Sequence, residues 1–265
     1  MIGWWGTWRR HWPEYCIEAA LLGLFLASAS LFAVVLGHPR FAAPRVLPND
    51  DARRALMGLA MGLTCVALVY SPWGRRSGAH MNPAVTLAFA SLGKVSRADV
   101  IGYVAAQFVG AIAGVASARA IAGPLLADPA VHFVATVPGA TFATAWFAEF
   151  GMSFVLLSIV LAMASSTRGA PFAGLAAGAL VATYIALEAP ISGMSLNPAR
   201  SFGSALFAND WRGAPIYWTA PPLGMLAAAL ARRAWVMLVR DGRGHCAKLC
   251  HLACDRCIFC GQRER

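Results

Sequence analysis

Two short stretches carry the residues best suited to handling small polar molecules. One reads S-G-A-H-M-N-P-A-V from Ser77, the other S-G-M-S-L-N-P-A-R from Ser192. Asn82-Pro83-Ala84 and Asn197-Pro198-Ala199 each have the form of a helix start. Asparagine is among the strongest N-caps, because its side-chain oxygen accepts from a backbone N–H of the first turn. Proline suits the first helical position, where its missing N–H would have had no partner. An asparagine used in this way keeps its NH2 group free to donate. The residues before each Asn, 77–81 and 192–196, read as non-helical. The backbone of Gly78, Ala79 and His80, and of Gly193, Met194 and Ser195, then offers a row of carbonyl acceptors. Each helix start adds about half a positive charge. Acceptors along a wall with two donors at a positive centre can bind and orient water-sized neutral molecules and repel cations. This is hydrogen-bond exchange and not bond breaking. No nucleophile–base pair or carboxylate dyad accompanies it, so the chain does not read as an enzyme.

Two further groups have chemical potential. Arg200 follows the second turn directly, and a charge within an apolar region is a functional hypothesis by default. Five of the seven cysteines, Cys246, Cys250, Cys254, Cys257 and Cys260, lie in the last twenty residues, with His251 among them and His245 just before. Cys257 and Cys260, with Cys246 or Cys254 and His251, match the ligand types and number of a zinc site. The competing reading is a basic tail with reduced thiols at a lipid surface. An iron–sulfur run is incomplete here, lacking a fourth ligand and the proline that follows it. No other cofactor is implied.

The elements that must position these residues are apolar. The 265 residues are 58% hydrophobic and 13% charged, about half the charged share of a soluble domain. Six stretches lack any charge: 19–37, 55–74, 100–118, 150–167, 169–187 and 213–231. Each is near the ~20 residues that a helix needs to cross a bilayer core of ~30 Å. The net charge of +10 is then a matter of topology and not of nucleic acid. With the N-terminus inside, 15 of the 22 Lys and Arg fall on the cytoplasmic side and six outside, with Arg200 left over. The positive-inside rule therefore places both termini in the cytoplasm, in the cell's plasma (inner) membrane, with anionic lipid as a secondary partner. The first apolar run is longer than a signal-peptide core and lacks a cleavage site, so it reads as a retained helix.

The chain divides into a cytoplasmic N-terminus (1–14), a first repeat (15–121), a linker rich in Pro, Gly and Ala (122–141), a second repeat (142–239) and the cytoplasmic tail (240–265). Each repeat has an acid near its start, Glu18 or Glu149, then two helices, the Asn-Pro-Ala turn with a short apolar stretch, and a third helix. Three spans per repeat put the second repeat in the membrane upside down, an inverted repeat. The apolar stretch after each turn is about ten residues, or ~15 Å, half the membrane core. The expected fold is thus all-α, with six spans and two re-entrant half-helices whose N-termini meet at the midplane. Backbone outside a helix at that depth is tolerated where it lines a water-filled cavity. Small residues at every fourth position, such as Gly102, Ala106, Gly110, Gly114 and Ala118, allow close helix contacts.

Over residues 15–239 the sequence resembles the aquaporin, or major intrinsic protein, family. The resemblance rests on S-G-A-H-M-N-P-A-V-T, S-L-N-P-A-R-S-F-G, A-A-Q-F-V-G-A in the third helix and Ala148-Glu149-Phe150 in the fourth. It implies a homotetramer with one pore per subunit. It also implies that Arg200 belongs to an outer constriction, with Ile185, Met194 and either Met61 or Gly62 as its partners. Glu18 and Glu149 would accept from backbone N–H groups of the first and second re-entrant loops; the alternative is a pair of helix-end acids near headgroups. His80 either donates into the inner vestibule or braces its loop. Glu188 reads as solvated.

The constriction departs from the water-specific pattern, which has an aromatic residue and a histidine. It also departs from the glycerol pattern, which has an acid where Ser201 stands and a proline where Tyr217-Trp218 stand. The expected function is a passive channel for water that leaks small neutral solutes such as glycerol, ammonia, peroxide or metalloid hydroxides. A channel mainly for such other solutes is the alternative. A coupled transporter would also use inverted repeats, yet no intramembrane ion site accompanies the broken helices.

Overall fold

A computed structural model describes residues 4–166 and 168–239. Besides short helical turns, the helices in chain order are α1 (Trp4–Gly37), α2 (Asp50–Tyr70), α3 (Pro83–Ser91), α4 (Arg97–Ala122), α5 (Phe142–Ala164), α6 (Ala173–Ser192), α7 (Pro198–Ala208) and α8 (Ala214–Val239). The starts are written in the sequence. Asn49 caps α2 by accepting from Asp51 N at 2.8 Å, and Ser96 and Thr141 cap α4 and α5. Five helices among the described residues combine the length and hydropathy of a membrane span. The sixth, α8, has 26 residues. Its apolar character is diluted near its start by Tyr217, Trp218, Thr219 and the pair Pro221-Pro222. The short helices α3 and α7 have 9 and 11 residues, so each reaches about half of a bilayer core. The fold is the expected all-α membrane architecture.

The repeats are interlocked. Within the first, α1 packs on α4; within the second, α5 packs on α8. Each half-helix, however, lies against the last helix of the other repeat, α7 on α4 and α3 on α8. Small residues make the contacts possible. A Cβ placed on Gly110 of α4 would lie 2.1 Å from the Ala19 carbonyl oxygen of α1. On Gly58 of α2 it would lie 2.4 Å from Ala182 O of α6. Both neighbours are backbone and cannot swing aside. Gly110→Leu is therefore expected to cost at least ~3 kcal/mol, seen as a lower unfolding temperature in detergent; an unchanged midpoint would contradict this packing.

Two boundaries differ from the sequence expectation. Residues 4–14 are not a separate segment: α1 is continuous from Trp4, about 51 Å long. Trp8 Nε1 donates to Ala98 O at 2.9 Å, and His11 and Tyr15 reach Asp99 Oδ1 at 2.7 and 2.8 Å. These bonds hold the first turns of α1 against the start of α4. The stretch 122–141 is also more than a connection. Leu126, Val131, Phe133 and Thr136 are buried in it, and it forms part of the cavity wall described next. Its apolar residues come in ones and twos among Pro, Gly and Ala, with no helical or strand period, which hid their packing role. The candidate zinc ligands Cys246, His251, Cys254, Cys257 and Cys260 lie outside the described residues.

Candidate functional site

A cavity of about 490 Å³ lies between the repeats. Both Asn-Pro-Ala turns reach it. Asn82 Oδ1 accepts from Ala84 N at 2.8 Å, and Asn197 Oδ1 accepts from Ala199 N at 3.0 Å and Arg200 N at 3.2 Å. Each side-chain oxygen thus caps its own half-helix. The NH2 groups are only partly free, which corrects the sequence expectation. Asn82 Nδ2 donates to Leu196 O at 2.7 Å, and Asn197 Nδ2 donates to Met81 O at 2.6 Å. Each amide spends one hydrogen clamping the opposite loop and retains one for the cavity. Asn82 and Asn197 both line that cavity.

The two pore loops share an unusual backbone. Gly78, Ala79 and Met81 have φ of 91°, 48° and 47°; Gly193, Met194 and Leu196 have 84°, 49° and 56°. Left-handed conformations at non-glycine residues cost of order 1 kcal/mol or more each. Buried glutamates offset this. Glu18 accepts from the Ser77 hydroxyl (2.7 Å), His80 N (3.0 Å), Met81 N (2.6 Å) and Gln107 Nε2 (2.9 Å). Glu149 accepts from the Ser192 hydroxyl (2.7 Å), Ser195 N (2.6 Å) and Leu196 N (2.8 Å). Tyr103 on α4 donates to Ser77 O at 2.8 Å, and Tyr217 on α8 donates to Ser192 O. With their N–H groups turned to the glutamates, the loops have mainly carbonyl oxygens left for the cavity. Gly78, Ala79, His80, Gly193, Met194 and Ser195 all line it. His80 also braces its loop, with Nδ1 3.0 Å from Thr86 Oγ1 and its ring stacked on Phe89 at 4.9 Å.

Arg200, Met194, Ile185 and Met61 also line the cavity. Gly62 faces away: a Cβ there would meet Gly178 O of α6 at 2.6 Å. Of the two α2 candidates, only Met61 lines the cavity. Arg200 Nη1 donates to Val134 O at 2.8 Å, so the 122–141 stretch supplies an acceptor that composition did not disclose. Arg54 lines the same cavity; its Nε donates to Ala186 O at 3.2 Å and its guanidinium pairs with Asp51. By sequence alone it is one of the six basic residues outside the spans on the outer side. The nearby loop after α7 is tied by Asp210, which accepts from Arg212 Nε at 3.0 Å and Nη2 at 2.6 Å. That guanidinium holds the Asp210 carboxyl below the usual range, opposed by its desolvation. His132 Nε2 lies 3.2 Å from the same carboxylate. Among the described residues, no group of three His, Cys, Asp or Glu could hold a metal.

The Major intrinsic protein family profile matches residues 13–232. Aquaporin NIP1-3 of Oryza sativa subsp. japonica is 38% identical over 81% of this chain and 71% of its own length. Aquaporin NIP3-1 of Zea mays is 42% identical over 86% and 72%. A probable aquaporin AqpM of Archaeoglobus fulgidus is 39% identical over 65% and 73%. The X-ray structure of the aquaglyceroporin from Plasmodium falciparum superposes with a TM-score of 0.67, covering 87% of this chain and 99% of that one at 19% identity, which speaks to fold alone. With two capped half-helices meeting in one cavity of an inverted repeat, and with these relatives, the chain belongs to the major intrinsic protein family of membrane channels.

Proposed function

We propose that the cavity is a pore that conducts water in single file, with some passage of small neutral solutes and rejection of protons and ions. The observation that carries this is the meeting of two half-helix N-termini whose asparagines bond across to each other's loops. A water molecule at that point finds amide hydrogens and two positive helix ends, and carbonyl oxygens on either side. It accepts at the centre and donates away from it. That breaks the run of like-oriented hydrogen bonds needed for proton hopping. Arg200 adds a fixed positive charge at the constriction.

In this reading solute choice falls to Met61, Ile185, Met194 and Arg200, supported by their shared place in the cavity wall. Three apolar side chains and one donor lower the desolvation penalty for molecules carrying carbon. Arg200 gives one of its donors to Val134 O, so fewer remain to strip water from a solute. This favours leakage of glycerol-sized solutes beside water. In the same reading the protein sits in the plasma membrane with both termini cytoplasmic, supported by the bias of Lys and Arg between loops. Assembly as a homotetramer is supported by the family resemblance. It acts without a resident cofactor, and a zinc ion in the tail would be structural or regulatory.

Stopped-flow light scattering on proteoliposomes tests the reading. Osmotic shrinkage is expected about ten-fold faster than in bare lipid, with glycerol uptake measurable above it and no proton leak. Replacing Met61 with Trp should suppress glycerol more than water. Shrinkage and glycerol uptake both at the bare-lipid rate would sink the proposal.

A further inference from the structure

Glu188 is an acid that the pore described above leaves unused. It stands on α6 one turn before Ser192. The Ser192 hydroxyl oxygen lies 2.7 Å from Glu149 Oε1 and 2.8 Å from Glu188 Oε2. A serine hydroxyl has one hydrogen to donate. Two ionised carboxylates would compete for it, like charges facing each other across one oxygen. The same serine oxygen accepts from Met194 N at 3.2 Å. The other Glu188 oxygen, Oε1, is buried without a hydrogen-bond partner. A charged oxygen in that position costs far more than the carbonyl oxygen of a neutral acid. The first repeat shows the contrast. There the Ser77 hydroxyl serves Glu18 at 2.7 Å, and the residue four before it is Trp73.

We propose that Glu188 carries a proton, donated to the Ser192 oxygen, and that this proton fixes the second pore loop. The chain then closes without conflict. Glu188 donates to Ser192, Ser192 donates to Glu149, and Glu149 is left to accept from Ser195 N and Leu196 N. Ser192 is a junction for the loop, since it also holds Met194 N and, through its carbonyl, Tyr217. Met194 stands in the constriction, so Glu188 is a positioning residue for selectivity and flow. The expectation read from sequence, a solvated acid, is replaced by a half-buried one. The charged and titratable groups facing the pair are Glu149 on α5, Arg54 on α2 through Ala186 O, Arg200 on α7, Tyr217 on α8 and Tyr184 on α6 itself. Loss of the proton leaves two carboxylates and one hydrogen, and the weaker tie, Glu188 to Ser192, opens.

The second readout below rests on the channel reading; the first is independent of it. Infrared spectra of the purified full chain are expected to show the C=O stretch of a protonated carboxylic acid that fades as pH rises and is missing from Glu188→Gln. Should that variant fail to insert, Glu188→Asp moves the band if Glu188 is its source. In proteoliposomes, water permeability is expected to fall about two-fold or more from acid to alkaline pH as the Glu188 proton is lost, and to stay at the low-pH level in Glu188→Gln. A band untouched by both substitutions overturns the bound proton. A flat wild-type profile, or the same profile in Glu188→Gln, overturns the positioning role. Absence of water and glycerol flux at every pH defeats the channel reading, and the infrared result still decides the proton.

Discussion

Glu18→Ala is expected to abolish conduction, and to do so by loss of the fold rather than of the pore lining. The carboxylate accepts from four buried donors: the Ser77 hydroxyl, two backbone N–H groups and the Gln107 amide. Each buried donor left unpaired costs ~1–3 kcal/mol, so the loss is on the order of 4 kcal/mol or more. That is a large part of the margin of a typical protein. The left-handed Met81 loses the bond that offsets its strain, and the Ser77 hydroxyl that holds Ala79 N loses its own acceptor. A water molecule in the vacated space restores only some partners. The variant should unfold at markedly lower temperature in detergent and give vesicles that shrink at the bare-lipid rate. Glu18→Gln, which keeps two acceptor lone pairs but turns an NH2 towards backbone donors, should fall between. A Glu18→Ala protein as stable as the parent would show that the loop is held by something else.

Arg200→Ala should leave the fold intact and change what passes. The side chain is half-buried, and its Nη1 bond to Val134 O ties α7 to the stretch before α5. On the proposed reading, removing it widens the constriction, withdraws a fixed charge and leaves Met61, Ile185 and Met194 as an apolar ring. Glycerol uptake relative to water should rise about ten-fold, equivalent to ~1.4 kcal/mol in the barrier. Small organic cations should begin to leak. Arg200→Lys keeps the charge but loses the planar donor set, so it should restore cation exclusion more than the solute ratio. Unchanged glycerol and cation fluxes in Arg200→Ala would remove this residue from the selectivity site.

Much of this was legible in the sequence because the governing patterns are local. Six charge-free runs declare their solvent, and Asn-Pro-Ala declares a capped helix start twice over. The pairing of each half-helix with the other repeat was not legible, since no local spacing records which distant backbone a small residue will meet. Gln107 reads as one polar residue in an apolar helix until Glu18 is seen 2.9 Å away. Val134 acts through its carbonyl, which every residue has, so no side-chain pattern could mark it. Arg54 looked like a loop charge because it stands in a charged run with Asp50, Asp51 and Arg53. Glu188 looked solvated because it lies near a helix end. Its burial depends on Ser192 one turn later and on Glu149 from another helix.

The crossed amide bonds have a consequence for ancestry. Asn82 holds the loop of the second half, and Asn197 holds that of the first, by the same pair of atoms in reverse. Two identical half-length chains, inserted in opposite directions, could form both bonds. Such a pair would be bound to sameness, since any change made on one face would appear on the other. Joining the halves in one polypeptide removes that obligation. Val85 and Arg200 occupy matching places after the two Asn-Pro-Ala turns, and Trp73 and Glu188 matching places before them. Differences of this kind can accumulate once the two halves are free to diverge.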